Sequence, residues 1–367
     1  MNRPYGPGQM STIYVDDTAL SEFTAAVFVK AGLPRDDAAI IGRDLVLANL
    51  RGIDSHGVSR IPMYLERLRK NVVNPKPNIS VKEITGAVSL VDGDNGMGFL
   101  AAHRAMDEAM RLAEKSGIGL VGVKNSTHYG MAALYVMQAM AKGFLAMAFT
   151  NSSPALPVWG GRNAFLGASP MAVGVPGGAT EGYVLDMAMT VIARGKIRLA
   201  AKHNVPIEPG LALDSDGAPT TDAAKAFEGV CLPFGGVKGA ALSMMMDLMA
   251  GVLTGANYAG RVKSLYFDHS EPQNVGHLFF AIRPDLFIPK DEFASRMDDF
   301  VTRAKGNPRA AGFDEILIPG EPEERTAARR KRSGIPLTDE VFKDLNGEAA
   351  NLGLDMPAVS ATPIKAA

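Results

Sequence analysis

The chain changes texture at Asn74-Pro75-Lys76-Pro77, and that break constrains the fold more than any other feature. Two prolines in four residues can neither continue a helix nor sit in the middle of a sheet. Ahead of the break, apolar positions recur at spacings of three and four, which predicts helices over Leu20 to Ala31 and Asp36 to Leu50. Asp36 can cap the second and Gly32 can end the first. A third helix is predicted from about Val58 to Lys70. Beyond the break, short apolar strands are predicted at Val88 to Val91, Gly119 to Val123, Phe144 to Thr150, Met171 to Val175, Tyr183 to Met187 and His277 to Arg283. Helices are predicted at Ala101 to Ser116, Ala132 to Lys142, Val191 to His203, Gly239 to Thr254 and Lys290 to Lys305. This is an α/β (α+β) pattern with a mixed sheet. At 367 residues it exceeds what one core usually organises, so two domains are expected.

Charge and cysteine content exclude several function classes. Lys and Arg total 38, Asp and Glu total 39, and the formal net charge is −1, so nothing pulls the chain as a whole toward phosphate backbones or anionic membranes. Neither a nucleic acid nor a membrane is expected as partner. Cys231 is the one cysteine, which rules out an internal disulfide or a cysteine metal cluster and suits a reducing cytoplasm. Its Gly-Val-Cys-Leu-Pro context reads as a buried strand end. MNRPYGPGQM lacks the apolar core of a signal peptide, so a cytoplasmic location is expected. The apolar run Gly239 to Ala256 carries Asp247 and three glycines and reads as a buried helix, not a membrane span. Pro322 to Arg332 alternates in charge and reads as a solvated helix. A short helix over Asp339 to Leu345 follows it, and the tail from about Pro357 is expected to be loose.

Gly117-Ile118-Gly119-Leu120-Val121-Gly122 matches the glycine fingerprint of dinucleotide-binding folds, but in the wrong setting. That fingerprint needs a strand before the glycines and a helix after, so that the helix N-terminus faces the pyrophosphate. Here the predicted order is the reverse, and Gly117 reads as the residue ending a helix.

The residues best suited to chemistry lie in Arg51-Gly52-Ile53-Asp54-Ser55-His56-Gly57-Val58-Ser59-Arg60-Ile61-Pro62-Met63-Tyr64. If a helix starts near Ser55, then His56, Arg60 and Tyr64 share one face. An imidazole, a guanidinium and a phenol would suit a small carboxylate: Arg60 to fork it, His56 to move a proton. An ordinary surface helix face is the alternative, and Pro62 complicates the helix. A second polar cluster, Lys124 to Gly130 with His128, follows a predicted strand, where open sheets place ligands or where a helix is simply capped. Pro233 to Gly239, with Gly236 and Lys238, leads into a helix and could cradle a phosphate. Thr150-Asn151-Ser152-Ser153-Pro154 offers further hydroxyls, and both stretches could equally be turns. His103, His203, His269 and His277 lack partners at metal-ligand spacing, so no metal site is expected.

These stretches together resemble the type-2 malate/L-lactate dehydrogenase family, whose relatives include ureidoglycolate, sulfolactate and diketogulonate oxidoreductases and a piperideine-2-carboxylate reductase. The resemblance spans about residues 12 to 345 and rests on RGIDSHGVSRIP, NSTHYG, TNSSP, VLDMAMTVIARGKI, ALDSDGAPTTD, PFGGVKG and IPGE in the family's order. It implies a non-Rossmann nicotinamide-binding domain over 81–307 and a helical substrate and dimerisation domain built from both chain ends, 11–80 and 308–356. Residues 1–10 and 357–367 would be loose, and the assembly a homodimer or larger. By motif, His56 is implied as proton donor and acceptor, with His128 assigned that role in some relatives and Asp186 near the catalytic histidine and cofactor. Ser55, Arg60 and Tyr64 would bind substrate; Ser152, Asp186, Met187, Ala188, Gly236, Lys238, Gly239, Gly320 and Glu321 would contact NADH or NADPH. Thr127, Ala168-Ser169, Val237 and Ala240 depart from residues common in the family, which bears on cofactor contacts and substrate choice.

The expected activity is hydride exchange between a small 2-hydroxy acid and its 2-oxo acid, with Asp186 favouring the His56 imidazolium. A cyclic-imine reductase is the closest alternative. A non-catalytic cofactor-binding protein and a metal-dependent hydrolase are others.

Overall fold

The computed structural model describes residues 12–364. The chain opens with β1 (Thr12–Val15), α1 (Asp17–Lys30), α2 (Arg35–Leu50) and α3 (Ile61–Arg69). Asp16 caps α1 by accepting from the Ala19 N–H at 2.9 Å. Asp36 does not cap α2: Pro34 holds the cap position, and Asp36 and Asp37 lie in the first turn, where a carboxylate favours the helix dipole. The third helix departs further from expectation. Asp54–His56 and Val58–Arg60 form two separate 3₁₀ turns, and the α-helix begins only at Ile61. Pro62 is the reason: it has no N–H and its ring strikes the preceding turn, so it fits only where a helix starts. His56, Arg60 and Tyr64 therefore do not share a helical face.

After the proline break come β2 (Ser80–Thr85), β3 (Val88–Asp92), α4 (Gly98–Ser116), β4 (Ile118–Ser126), α5 (Ala133–Met140) and β5 (Leu145–Thr150). β6 (Pro154–Leu156) and β7 (Leu166–Gly167) pair as a small ribbon, and β8 (Met171–Val175) and β9 (Tyr183–Met187) complete the strands predicted here. A more irregular stretch holds α6 (Arg194–Lys202), β10 (Ala212–Leu213), α7 (Ala223–Glu228) and β11 (Val230–Cys231), where Cys231 is buried. α8 (Val237–Asp247) continues as a π-helical turn over Leu248–Val252, before β12 (Val275–Ile282) and α9 (Lys290–Lys305).

Seven of these strands form one sheet in the order β2-β3-β4-β12-β5-β8-β9. Only β3 and β4 are parallel neighbours; every other pair is antiparallel. Phe279 and Ala281 of β12 join the large core with α4 and α5, and Leu278 joins a second core with Met246, Ile197 and Met189. This is the period of two that a strand covered on both faces must show. β2, which the sequence analysis missed, is an edge strand whose Ser-Val-Lys-Glu-Ile-Thr side chains are nearly all exposed. At the fingerprint-like glycines the order is helix then strand, and Gly117 ends α4 at φ 82°. A Cβ at Gly119 would lie 1.9 Å from the Ala109 oxygen, so this glycine lets α4 lie directly on the sheet.

The chain ends with α10 (Glu321–Ser333), β13 (Ile335–Thr338), α11 (Asp339–Leu352) and β14 (Val359–Ser360). β1 pairs with both β13 and β14, so the two chain ends meet in one small sheet. Within the tail expected to be loose from 357, Val359–Ser360 is thus a paired strand, because the β1 edge leaves backbone groups to satisfy. Residues 1–10 and 365–367 of that expectation lie outside the described residues. Gly239 to Ala256 is largely helical, and one side of it, with Ala240, Met246 and Ala250, is buried as expected, whereas the other is not. Val237, Met244, Met245, Leu248 and Val252 line one exposed stripe, with Leu248 52% exposed.

His103 of α4 bonds Asp44 of α2 at 2.6 Å through Nε2, and its Nδ1 meets Gln138 of α5 at 2.6 Å. The partner is remote in sequence, which is why spacing did not find it. Burial opposes the imidazolium, but Asp44 outweighs it and holds the His103 pKa above its ordinary value. The stabilisation is therefore complete below the unfolded pKa near 6.5 and lost as pH rises through the folded one. His103→Gln should cost more stability at about pH 6 than at about pH 9, read as urea midpoints. Equal losses at both pH values would contradict this.

Candidate active site

The segment 49–64 is pinned from two sides. The Asn49 side-chain oxygen accepts from the Val58 N–H at 2.8 Å and its amide donates to Asp54 at 2.7 Å. From α10, Arg330 forks the Asp54 carboxylate at 2.6 and 3.0 Å and also donates to the Asn49 carbonyl. Arg51 bonds Glu324 at 2.6 Å. The charge run read as a solvated face thus contains a guanidinium only 13% exposed that fixes the catalytic-looking loop. The run's alternating charge gave no sign of which arginine turned inward.

This pinning brings His56 onto His128, the rings stacked with centroids 5.6 Å apart and planes 19° apart. Ser55 Oγ meets His56 Nδ1 at 3.0 Å. Tyr64, buried on α3, reaches His128 Nδ1 with its hydroxyl at 2.7 Å, and the Gly130 N–H donates to the same nitrogen at 3.3 Å. A nitrogen that accepts from a backbone N–H carries no proton, so we assign the hydrogen of neutral His128 to Nε2. The expected group Ser55, His56, Arg60, Tyr64 and His128 is thus assembled, by two 3₁₀ turns and a loop after β4 in place of one helix face.

The charge at this group is one-sided. The Arg60 guanidinium lies over the Tyr266 ring at 5.4 Å and has no carboxylate partner among the described residues. Arg198 of α6 adds a second positive charge near it. Burial first, then Arg60, pushes the His56 pKa down to about 3. Burial, followed by His56 and Arg60, holds His128 well below the usual histidine range. Both imidazoles are neutral at neutral pH, and the net charge left over is positive. Such a place accepts an anion. Tyr266 and Arg198 carry no motif that would have marked them in advance.

Asp186 on β9 does not reach either imidazole. Its carboxylate accepts from the Ala133 N–H at 2.8 Å, at the start of α5. The carboxyl is solvent-accessible but crowded by protein, and this desolvation pushes its pKa up to about 6 against the pull of the Ala133 N–H and Arg51.

The chain running on from Asp186 gathers most of the expected cofactor residues. The Met189 N–H donates to the Ala168 carbonyl at 2.8 Å and the Phe234 N–H to the Met189 carbonyl at 3.1 Å, so Met187 and Ala188 lie beside the loop that leads into α8. Ser152 Oγ accepts from the Ser169 N–H at 3.4 Å in the same neighbourhood. Gly235 and Gly236 hold φ 58° and 64°, a backbone that favours glycine, and Gly236 starts α8 with no side-chain cap. The first-turn N–H groups around Lys238 and Gly239 are therefore open, and Lys238 has no ion-pair partner among the described residues. The Ser169 hydroxyl is buried without a partner at φ 40°. An uncapped helix start, a free lysine and an orphan hydroxyl fit the pyrophosphate and polar groups of a dinucleotide.

Gly320 and Glu321 lie farther along β9, where Pro319 accepts from the Val184 N–H at 3.0 Å. They line a cavity of about 160 Å³ with Arg51 and Val184. The Glu321 carboxylate is engaged by Lys305 at 2.6 and 2.7 Å. Among the described residues, no group of three or more His, Cys, Asp or Glu side chains is arranged to hold a metal ion.

Residues 15–346 match the family described as malate/L-lactate dehydrogenase. The chain is 38% identical over 330 residues to the L-sulfolactate dehydrogenase of Methanocaldococcus jannaschii, covering 90% of this chain and 94% of that one. It is 32% identical over 320 residues to the NAD(+)-dependent ureidoglycolate dehydrogenase of Escherichia coli K12, covering 87% and 91%. The solved structure of the Δ1-piperideine-2-carboxylate reductase of Pseudomonas syringae superposes with a TM-score of 0.83 at 28% identity, covering 92% of this chain and 99% of that one. The chain belongs to the malate/L-lactate dehydrogenase family and is a nicotinamide-dependent oxidoreductase.

Proposed function

We propose that this enzyme interconverts a small 2-hydroxy acid and its 2-oxo acid, using NADH or NADPH, with His56 as the proton carrier. The observation that carries the reading is the neutral His56–His128 stack beside an unpaired Arg60. Arg60 forks the substrate carboxylate, and Tyr64 supports the site by fixing His128. The arriving negative charge offsets Arg60 and so removes one of the two causes that keep His56 neutral. His56 can then hold a proton and pass it to the carbonyl oxygen in reduction, or take it back in oxidation. His128, with Nδ1 occupied, offers only its Nε2–H and orients the same oxygen as a hydrogen-bond donor. When bound, the nicotinamide supplies or accepts the hydride at the carbonyl carbon.

On the cofactor side, Lys238 and the open first-turn N–H groups around Lys238 and Gly239 would hold the pyrophosphate. Ser152, Asp186, Met187, Ala188, Gly320 and Glu321 would contact the dinucleotide, which supplies the hydride chemistry when bound. Asp186, raised to about 6, acts from the cofactor side and not as the partner of an imidazolium. In the same reading, 81–307 forms the cofactor domain, and 11–80 with 308–356 forms the helical one. A cytoplasmic location is part of it, supported by the single buried Cys231; no described helix is long and apolar enough to cross a membrane.

The exposed stripe of Val237, Met244, Met245, Leu248 and Val252 supports a homodimer, since five apolar side chains on one helix face are costly to leave in water. Leu248→Glu should shift sedimentation toward the monomer, and an unchanged sedimentation coefficient would count against this interface.

The reaction is tested by absorbance loss at the reduced-nicotinamide band with pyruvate, oxaloacetate, sulfopyruvate, 2,3-diketogulonate and piperideine-2-carboxylate, with NADH and NADPH in parallel. Turnover of a 2-oxo acid is expected, and His56→Ala should lower kcat by roughly 10²–10⁴-fold while NADH fluorescence still reports binding. Full activity of that variant would remove His56 from the mechanism. Turnover of the cyclic imine alone would make the enzyme an imine reductase.

A further inference from the structure

We propose that His277 is a positioning residue that ties the loop carrying His128 to the loop carrying Ser152, and so sets the distance between proton carrier and cofactor. The inference rests on the proposed roles of those two loops. His277 is fully buried in β12, which lies between β4 and β5. One ring nitrogen, Nε2, meets Ser126 Oγ at 2.8 Å; the other, Nδ1, meets Thr150 Oγ1 at 2.7 Å. Ser126 ends β4 two residues before His128, and Thr150 ends β5 two residues before Ser152.

The local backbone is built for this bridge. The register of β12 against β4 slips between Val275 and His277, and an irregularity of this kind re-aims a side chain next to a site. On the other edge, His277 stays in register with Thr150, whose hydroxyl also lies 3.1 Å from the Gly276 carbonyl, to which it can donate when it accepts from His277 Nδ1. The Gly276 N–H in turn donates to the Asn151 side chain at 3.0 Å. The Tyr129 ring, one residue past His128, lies flat on the His277 ring at 4.6 Å and 2°. A neutral imidazole donates from one nitrogen and accepts at the other, so two hydroxyls satisfy it in either tautomer. Burial keeps it neutral, with a pKa pushed down to about 3, so His277 itself carries no proton for the reaction.

A hydride and a proton must reach adjacent atoms of one carbonyl, and a displacement of about 1 Å can cost on the order of 10²-fold in rate. Ser126→Ala removes one of the two bonds with little change of volume, and His277→Gln alters both. Each should lower kcat by roughly 10- to 100-fold and leave the NADH affinity read by fluorescence near that of the parent. The primary deuterium isotope effect on kcat, measured with C4-deuterated NADH, should rise as hydride transfer becomes slower than product release. Unchanged kcat per folded molecule and an unchanged isotope effect in Ser126→Ala would overturn the inference, even if melting temperature falls. His128→Ala separates the two levels: if it loses activity while Ser126→Ala and His277→Gln do not, only the positioning role fails. If His128→Ala is fully active, the proposed role of that loop fails as well.

Discussion

The site depends on β12 being wedged between β4 and β5. Both neighbours are antiparallel to it, so they run parallel to each other and their C-terminal ends lie at one edge of the sheet. The loops that follow, with His128 after β4 and Ser152 after β5, must therefore open on the same side. In open α/β sheets the carboxyl ends of parallel strands hold ligands, and a mixed sheet reaches the same outcome here by inserting one antiparallel strand. In the proposed reading no glycine fingerprint is needed for this, because the uncapped start of α8 offers open N–H groups.

Electrostatics completes what topology begins. Arg60 acts on both histidines, with Arg198 near it, and neither arginine has a carboxylate partner among the described residues; Asp54 is taken up by Arg330 and Asp186 by the Ala133 N–H. Two neutral imidazoles beside unbalanced positive charge make a site that is incomplete without an anion. In the proposed mechanism substrate charge and proton supply are linked, since a carboxylate bound by Arg60 would be the charge that allows His56 to be protonated.

Much of this could be read in the residues. The helices over 17–50, the strands over 118–187 and the failure of the Gly117 to Gly122 fingerprint follow from spacing and order, because those segments pack in the manner their periodicity states. The geometry of the 54–64 segment did not follow: Pro62 delays the helix, and His56 meets His128 through tertiary contact that no spacing encodes. Asp186 was singled out only by the family motif that contains it, and its partner, a backbone N–H, leaves no mark in a sequence. The roles of Arg330 and His277 were hidden for a related reason. One lay in a run of mixed charge and the other in an apolar strand, and in each only the fold shows which groups it meets. The exposure of Leu248 was masked by composition, since an apolar run reads as buried and does not say which of its faces the chain itself covers.

The account stands on one coupling, that the anion at Arg60 gives His56 its proton. Calorimetry of a non-reducible 2-oxo acid analogue binding to the NADH complex, repeated in buffers of different ionisation enthalpy near neutral pH, measures it directly. A net uptake of protons that disappears in His56→Ala is the predicted result. Binding with no proton uptake, or with an uptake that persists in His56→Ala, would contradict the account.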